Sequence, residues 1–127
     1  MKLLIVDDEV TARSVLREHL GRALPNAQVA EAENGAEALF RLLQHKPDLV
    51  LLDLLMPVAG GEVFLDVAEE WAARKFIASP PRVVVITSFN DAAKLMELSN
   101  RASVIKVLPK PITATTINLL KTLLREL

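Results

Sequence analysis

Asp7 and Asp8 stand side by side at the end of the apolar run Leu3-Leu4-Ile5-Val6, and a third acid, Asp53, ends a second run, Leu49-Val50-Leu51-Leu52. Short apolar runs of this kind read as buried strands, so three carboxylates are offered at strand ends. If the two strands are parallel neighbours, both ends open on one edge of the sheet, the edge where open α/β sheets bind ligands. Carboxylates about 4 Å apart repel by roughly 4 kcal/mol at an effective dielectric near 20. Such a cluster protonates or spreads apart unless a cation holds it together, and a divalent metal site is the natural reading.

Two further runs extend the pattern. Val83-Val84-Val85-Ile86 ends in Thr87-Ser88, and Val104-Ile105-Lys106-Val107-Leu108 leads into Pro109-Lys110-Pro111, which brings a hydroxyl pair and an ammonium toward the same edge. Mg²⁺ is usually held by one or two carboxylates, several waters and a phosphate oxygen. Lysine adds a compact positive charge and threonine a hydroxyl donor. The set has the parts of a phosphoryl-transfer site in which one carboxylate is the nucleophile.

Each member alone has a plainer explanation. Asp8 could cap the helix that follows, Asp53 could end a strand before a turn, Thr87-Ser88 could open a turn or cap a helix, and Lys110 between prolines could be a solvated loop charge. Helix capping accounts for one acid of the first pair and not for two, and none of these explanations accounts for the ordered set.

In these residues the chain resembles the receiver domain of two-component response regulators. The resemblance runs from Met1 to the last helix and rests on Asp7-Asp8, the string Asp53-Leu54-Leu55-Met56-Pro57 with Gly61 after it, Thr87-Ser88 and Lys110-Pro111, in family order and near family spacing. It implies that Asp53 accepts a phosphoryl group from a histidine kinase or phosphotransfer protein. It also implies that Asp8, Asp53 and the Leu55 carbonyl ligate Mg²⁺, with Asp7 acting through water. Lys110 would pair with the phosphoryl oxygens, Thr87 would report them, and Ser88 is a further candidate contact to the bound group. The Lys110-Pro111 bond is expected to be cis. Output to a partner protein is expected through the fourth helix, fifth strand and last helix, including Lys94, Lys106 and Val107. The chain departs from the family pattern at Val107, where an aromatic that follows phosphorylation often stands, at Ile112, where phenylalanine is common, and at Gly60, where an acid is frequent.

The 127 residues fit one domain spanning 1–127, with no room for a second. Charges of both signs sum to −1, so no field favours a polyanion and no direct nucleic-acid partner is expected. With no cysteine there is no disulfide, thiolate metal site or thiol nucleophile. No signal peptide or membrane-spanning stretch stands out, and a cytoplasmic protein, monomeric or weakly dimeric, is the expectation. It would catalyse only its own modification. Its rivals are a receiver excised from a longer regulator with a DNA-binding or enzymatic output domain, a phosphorylation-independent scaffold, and a small-molecule hydrolase or phosphotransferase. The intact acid set argues against a scaffold, and a hydrolase would want a second domain or lid.

The alternation of short apolar runs with amphipathic stretches predicts a doubly wound parallel sheet with helices on both faces, here five strands and five helices, and the resemblance implies the flavodoxin-like order 2-1-3-4-5. The first helix is expected over about Glu9 to Ala23 with Val10, Val15, Leu16 and Leu20 inward. After a strand around Val29 to Glu31, Asn34 caps a helix carrying Ala36, Leu39, Phe40 and Leu43 inward and stopped by Pro47. A third helix from Gly61 carries Val63, Phe64, Val67 and Trp71. A short fourth runs from about Asp91 to Ser99, and the last, from about Thr113, buries Ile117, Leu120 and Leu124. Phe76 to Arg82, with Pro80-Pro81, forms a long connection expected at the opposite edge from the acids. His19 and His45 are expected to face solvent, and Met56, Trp71 and Met96 to pack.

Overall fold

The computed structural model describes residues 1–127. Strands β1 (Lys2–Val6), β2 (Gln28–Ala32), β3 (Leu49–Leu52), β4 (Val83–Thr87) and β5 (Val104–Pro109) alternate with helices α1 (Val10–Ala23), α2 (Gly35–His45), α3 (Gly61–Ala73), α4 (Ala92–Ser99) and α5 (Ala114–Arg125). The sheet is parallel throughout, in the order β2-β1-β3-β4-β5. This is the doubly wound arrangement that the alternating pattern predicts, in the expected flavodoxin-like order.

Side chains two apart on a strand share a face, and the core divides accordingly. Leu4, Val6, Val50, Leu52, Val83 and Val85 meet Ala38 and Leu42 of α2, Phe64, Leu65 and Ala68 of α3 and Leu98 of α4. Leu3, Ile5, Leu49, Leu51, Val84, Ile86 and Leu108 meet Leu16 and Leu20 of α1 and Ile117, Leu120 and Leu124 of α5. Because β1, β3 and β4 are covered on both faces, their sequences are continuous apolar runs. The edge strand β5 carries an irregularity: Val83 pairs with Val104 but Val84 with Lys106, so Ile105 is the extra residue.

Several inward faces differ from the pattern reading. In α1, Leu16 and Leu20 are buried while Val10 and Val15 are exposed. In α2 the buried residues are Gly35, Ala38 and Leu42, with Leu39 half-buried, whereas Ala36, Phe40 and Leu43 face solvent. The helix carries two apolar stripes, and the smaller side chains of one let it sit close on the sheet. In α3 Leu65 replaces Val63 as a core residue, and Trp71 packs only partly. Met56 packs against the core, but Met96 is exposed. His19 and His45 are half-buried rather than solvated, and His45 Nε2 lies 3.2 Å from the Leu3 carbonyl.

Helix ends are defined by side chains. Asn34 accepts from the Glu37 amide, Asp91 from the Lys94 amide, and Thr113 and Thr116 cap each other reciprocally at α5. The N-cap of α1 is Glu9, without a side-chain cap bond, so Asp8 is not there as a cap. Likewise Asp91, not Thr87 or Ser88, caps α4. The α3–β4 connection lies away from the acids and helps line a cavity of about 500 Å³ with Leu43, Lys46, Asp48 and Arg82.

Candidate functional site

Parallel pairing of β1 with β3 is what joins the acids. Val6 pairs with Leu52, so the next residue of each strand, Asp7 and Asp53, emerges on the same edge, and the Asp53 amide donates to the Val6 carbonyl at 2.9 Å. Asp7, Asp8 and Asp53 each offer a carboxylate oxygen within 4.8 Å of the others. Asp7 and Asp53 are buried, at 3% and 6% exposure, and Asp8 is exposed, so solvent reaches the cluster from one side.

Lys110 completes it. Its Nζ lies 2.7 Å from Asp7 Oδ2 and 3.6 Å from Asp53 Oδ2. The Lys110 amide donates to the Thr87 carbonyl at 3.0 Å, which ties the residue to the end of β4. The Lys110-Pro111 peptide is cis, as expected. Burial alone would pull the lysine down, yet the Asp7 hydrogen bond and the charges of Asp53, Asp7 and Glu9 hold it above its ordinary value. Asp53 is pushed up. Desolvation is the main cause, the Lys110 ammonium opposes it, the Asp7 and Asp8 charges add to it, and the Leu55 amide, 3.4 Å from Asp53 Oδ1, lowers it slightly.

The loop after Asp53 crosses it closely. A Cβ on Gly61 would stand 2.5 Å from the Asp53 carbonyl oxygen and 2.9 Å from Leu54 Cα, so only glycine lets α3 start here. Leu55 is exposed, and Val58, 90% exposed, takes φ 72°, a left-handed conformation that β-branched residues rarely adopt.

Thr87 ends β4 and is buried; its Oγ1 accepts from the Phe89 amide at 3.1 Å. Ser88 is exposed. Of the residues singled out in the sequence, Asp7, Asp8, Asp53 and Lys110 are in one cluster, with Thr87 on the neighbouring strand end. Lys94 is half-buried and its Nζ pairs with Glu62 of α3 at 2.5 Å, so it braces two helices. Lys106 is exposed, and Val107 packs against the core. Arg101 holds the far end of α4 in the same way, pairing with Asp66 and Glu69 of α3. The partners Arg101 and Ser103 overcome desolvation and keep Glu69 below its ordinary value.

Arg13 is a polar contact of the site that the pattern did not reveal. It donates from Nη1 to the Asp7 carbonyl at 2.6 Å and from Nε to Glu31 of β2 at 3.1 Å. Its signal was present: Arg13 and Arg17, one turn apart on α1, face the alternate residues Val29 and Glu31 of a neighbouring strand.

The three acids could hold a divalent cation, Lys110 could neutralise an incoming anion, and a carboxylate between them could act as nucleophile. Residues 3–122 match the family model described as the response regulator receiver domain. The chain is 34% identical over 116 residues to protein-glutamate methylesterase/protein-glutamine glutaminase 5 of Myxococcus xanthus, covering 91% of this chain and 32% of that protein. It is 36% identical over 96 residues to transcriptional regulatory protein ResD of Bacillus subtilis, covering 76% and 36%. The chain therefore spans about a third of the length of these curated relatives. Among solved structures, chemotaxis protein CheY4 of Vibrio cholerae superposes with a TM-score of 0.78 at 29% identity over 99% of this chain and 98% of that one. The REC domain of AraT, a response regulator from Geobacillus stearothermophilus, does so with a TM-score of 0.78 at 31% identity over 98% and 92%. With the acid cluster at the carboxyl edge of a 2-1-3-4-5 sheet, these matches place the chain in the response regulator receiver domain family.

Proposed function

We propose that residues 1–127 act as one receiver unit that accepts a phosphoryl group on Asp53 from a histidine kinase or phosphotransfer protein and signals to a partner. The observation that carries this is the meeting of three carboxylates within 4.8 Å with the Lys110 ammonium over two of them. Receiver domains generally use Mg²⁺, and the donor set fits it: Asp8 and Asp53 with the Leu55 carbonyl as ligands, Asp7 through water. The ion, when bound, neutralises charge on the phosphoryl oxygens.

The chain's own groups do the rest. An Asp53 carboxylate oxygen attacks phosphorus, the bond from phosphorus to the donor nitrogen breaks with its electron pair kept by that nitrogen, and the donor, already protonated on its other nitrogen, leaves as neutral imidazole. Lys110, already beside Asp53, pairs with a phosphoryl oxygen. Thr87 Oγ1 only accepts a hydrogen bond within the unmodified chain, so its proton is available to the new anion. Attack of water on phosphorus later returns the carboxylate. Val107, β-branched and packed, cannot follow Thr87 as an aromatic would, so the change rests on the backbone from Ser88 to Ala93. Output then uses the face around Lys94, Lys106 and Val107.

Intact-mass spectrometry after incubation with a small phosphodonor tests the reading. Wild type gains one phosphoryl mass with Mg²⁺ and far less without, and Asp53→Asn gains none. Labelling that persists in Asp53→Asn, or maps to Ser88 or a histidine, overturns it.

A further inference from the structure

Asp8 is the exposed acid of the cluster, and no hydrogen bond fixes its carboxylate. Where that carboxylate stands is decided by the main chain of the turn from β1 to α1. Asp7, next to it, is tied at four points: its amide to the Ala32 carbonyl, its carboxylate to the Glu9 amide and to Lys110, and its carbonyl to Arg13. The last bond is the only one of the four to grip the peptide that joins Asp7 to Asp8. At 2.6 Å it is also the shortest. A guanidinium can make it while holding a carboxylate with its Nε, because its donors form a rigid planar fork. Arg13 does so: its side chain is 12% exposed, Glu31 anchors Nε, and Glu31 is itself held by Arg17.

We propose that Arg13 is a positioning residue of the acid site: by pinning the Asp7 carbonyl to Glu31 it sets where Asp8 stands and so the affinity for Mg²⁺, without touching the ion. The inference rests on the metal-site reading given above. It runs against simple electrostatics. A cation beside the acids repels a second cation, so if its charge were what mattered, removing Arg13 would strengthen Mg²⁺ binding. If position matters, removal weakens it, because a ligand no longer held must be ordered by the metal. The sign of the effect separates the two.

Arg17 supplies the control. It sits one turn further along α1, shares Glu31, and donates to the Val29 carbonyl instead of Asp7. Removing it loosens α1 from β2 but leaves the turn clamped.

The experiment is a Mg²⁺ titration of the full chain, followed by amide shifts and by calorimetry, needing no phosphorylation. Outer contacts that orient metal ligands typically change affinity by about 10–100-fold. Arg13→Ala is expected to raise the Mg²⁺ dissociation constant about tenfold or more, and Arg17→Ala by less than about twofold. Arg13→Lys, whose single ammonium can hold the Asp7 carbonyl or Glu31 but not both, falls between. If Arg13→Ala does not fold, Arg13→Lys against Arg17→Lys carries the comparison. Unchanged or tighter binding in the Arg13 variants, or equal weakening in the Arg17 variants, overturns the proposal. Wild type that binds no Mg²⁺ overturns the metal-site reading itself, a result distinct from either.

Discussion

Replacing Asp53 with asparagine should stabilise the metal-free protein at neutral pH, although it removes a buried hydrogen-bonding carboxylate. At an effective dielectric near 20, Asp7, at no more than 4.8 Å, repels an ionised Asp53 by about 3.5 kcal/mol, and Lys110, at 3.6 Å, attracts it by about 4.6 kcal/mol. These nearly cancel. Asp8 contributes about 3.5 kcal/mol more at the same separation, roughly halved because it is exposed to screening solvent. The Coulomb balance leaves a net repulsion of about 0.6 kcal/mol, and desolvation, the largest cause of the raised Asp53 pKa, adds to it. Asparagine has the shape without the charge. The pH dependence has a fixed sign: a carboxyl whose folded pKa is raised costs the native state nothing below its ordinary value of 3.8, and the cost appears as pH climbs through the folded pKa. Urea unfolding of wild type and Asp53→Asn without Mg²⁺ should therefore differ by at least about 0.6 kcal/mol near pH 7.5 and by little near pH 4. Saturating Mg²⁺, bound more tightly by three acids than by two, should close the gap. A less stable Asp53→Asn at neutral pH, or an advantage that does not change with pH, would refute the reasoning.

Lys110→Met should have two opposite effects: stability falls by about 2–3 kcal/mol, since Asp7 keeps a buried charge with its ammonium gone, while Mg²⁺ binding tightens several-fold. Urea unfolding and calorimetric titration read them separately, and loosened Mg²⁺ binding would contradict the account. Gly61→Ala should cost about 2–3 kcal/mol, because its Cβ meets backbone atoms at 2.5 and 2.9 Å that cannot rotate away; thermal melting near wild type would show that the loop yields. Val58→Gly should raise stability by about 1 kcal/mol, since the side chain is 90% exposed and its φ of 72° suits glycine. A lower melting temperature would mean that the larger backbone entropy of unfolded glycine outweighs the strain relieved.

The sheet and its acids were legible because strands buried on both faces leave continuous apolar runs, and their ends are marked by the residues that follow. Asp7, Asp53, Thr87 and Lys110 could be set on one edge from that alone. The face of α2 could not, because Ala36, Phe40 and Leu43 have helical spacing as good as Ala38 and Leu42, and the choice depends on how closely the helix lies on the sheet. Lys94 and Arg13 escaped for a common reason. A cation on an amphipathic helix reads as solvated until the neighbouring element is placed, here Glu62 on α3 and Glu31 on β2. The strain at Val58 left no trace, since valine is not a residue that announces a left-handed turn.

The bond between Asp7 and Lys110 joins residues 103 apart in the chain. A chain emerging from the ribosome has all three acids long before it has their counter-charge. Until β5 and α5 are made, β4 lacks its outer neighbour, and Asp7 lacks the ammonium that permits its burial. The acids and the ammonium therefore become one site only after β5 has been made. A chain that stops short of β5 holds an aspartate at position 53 but no assembled centre.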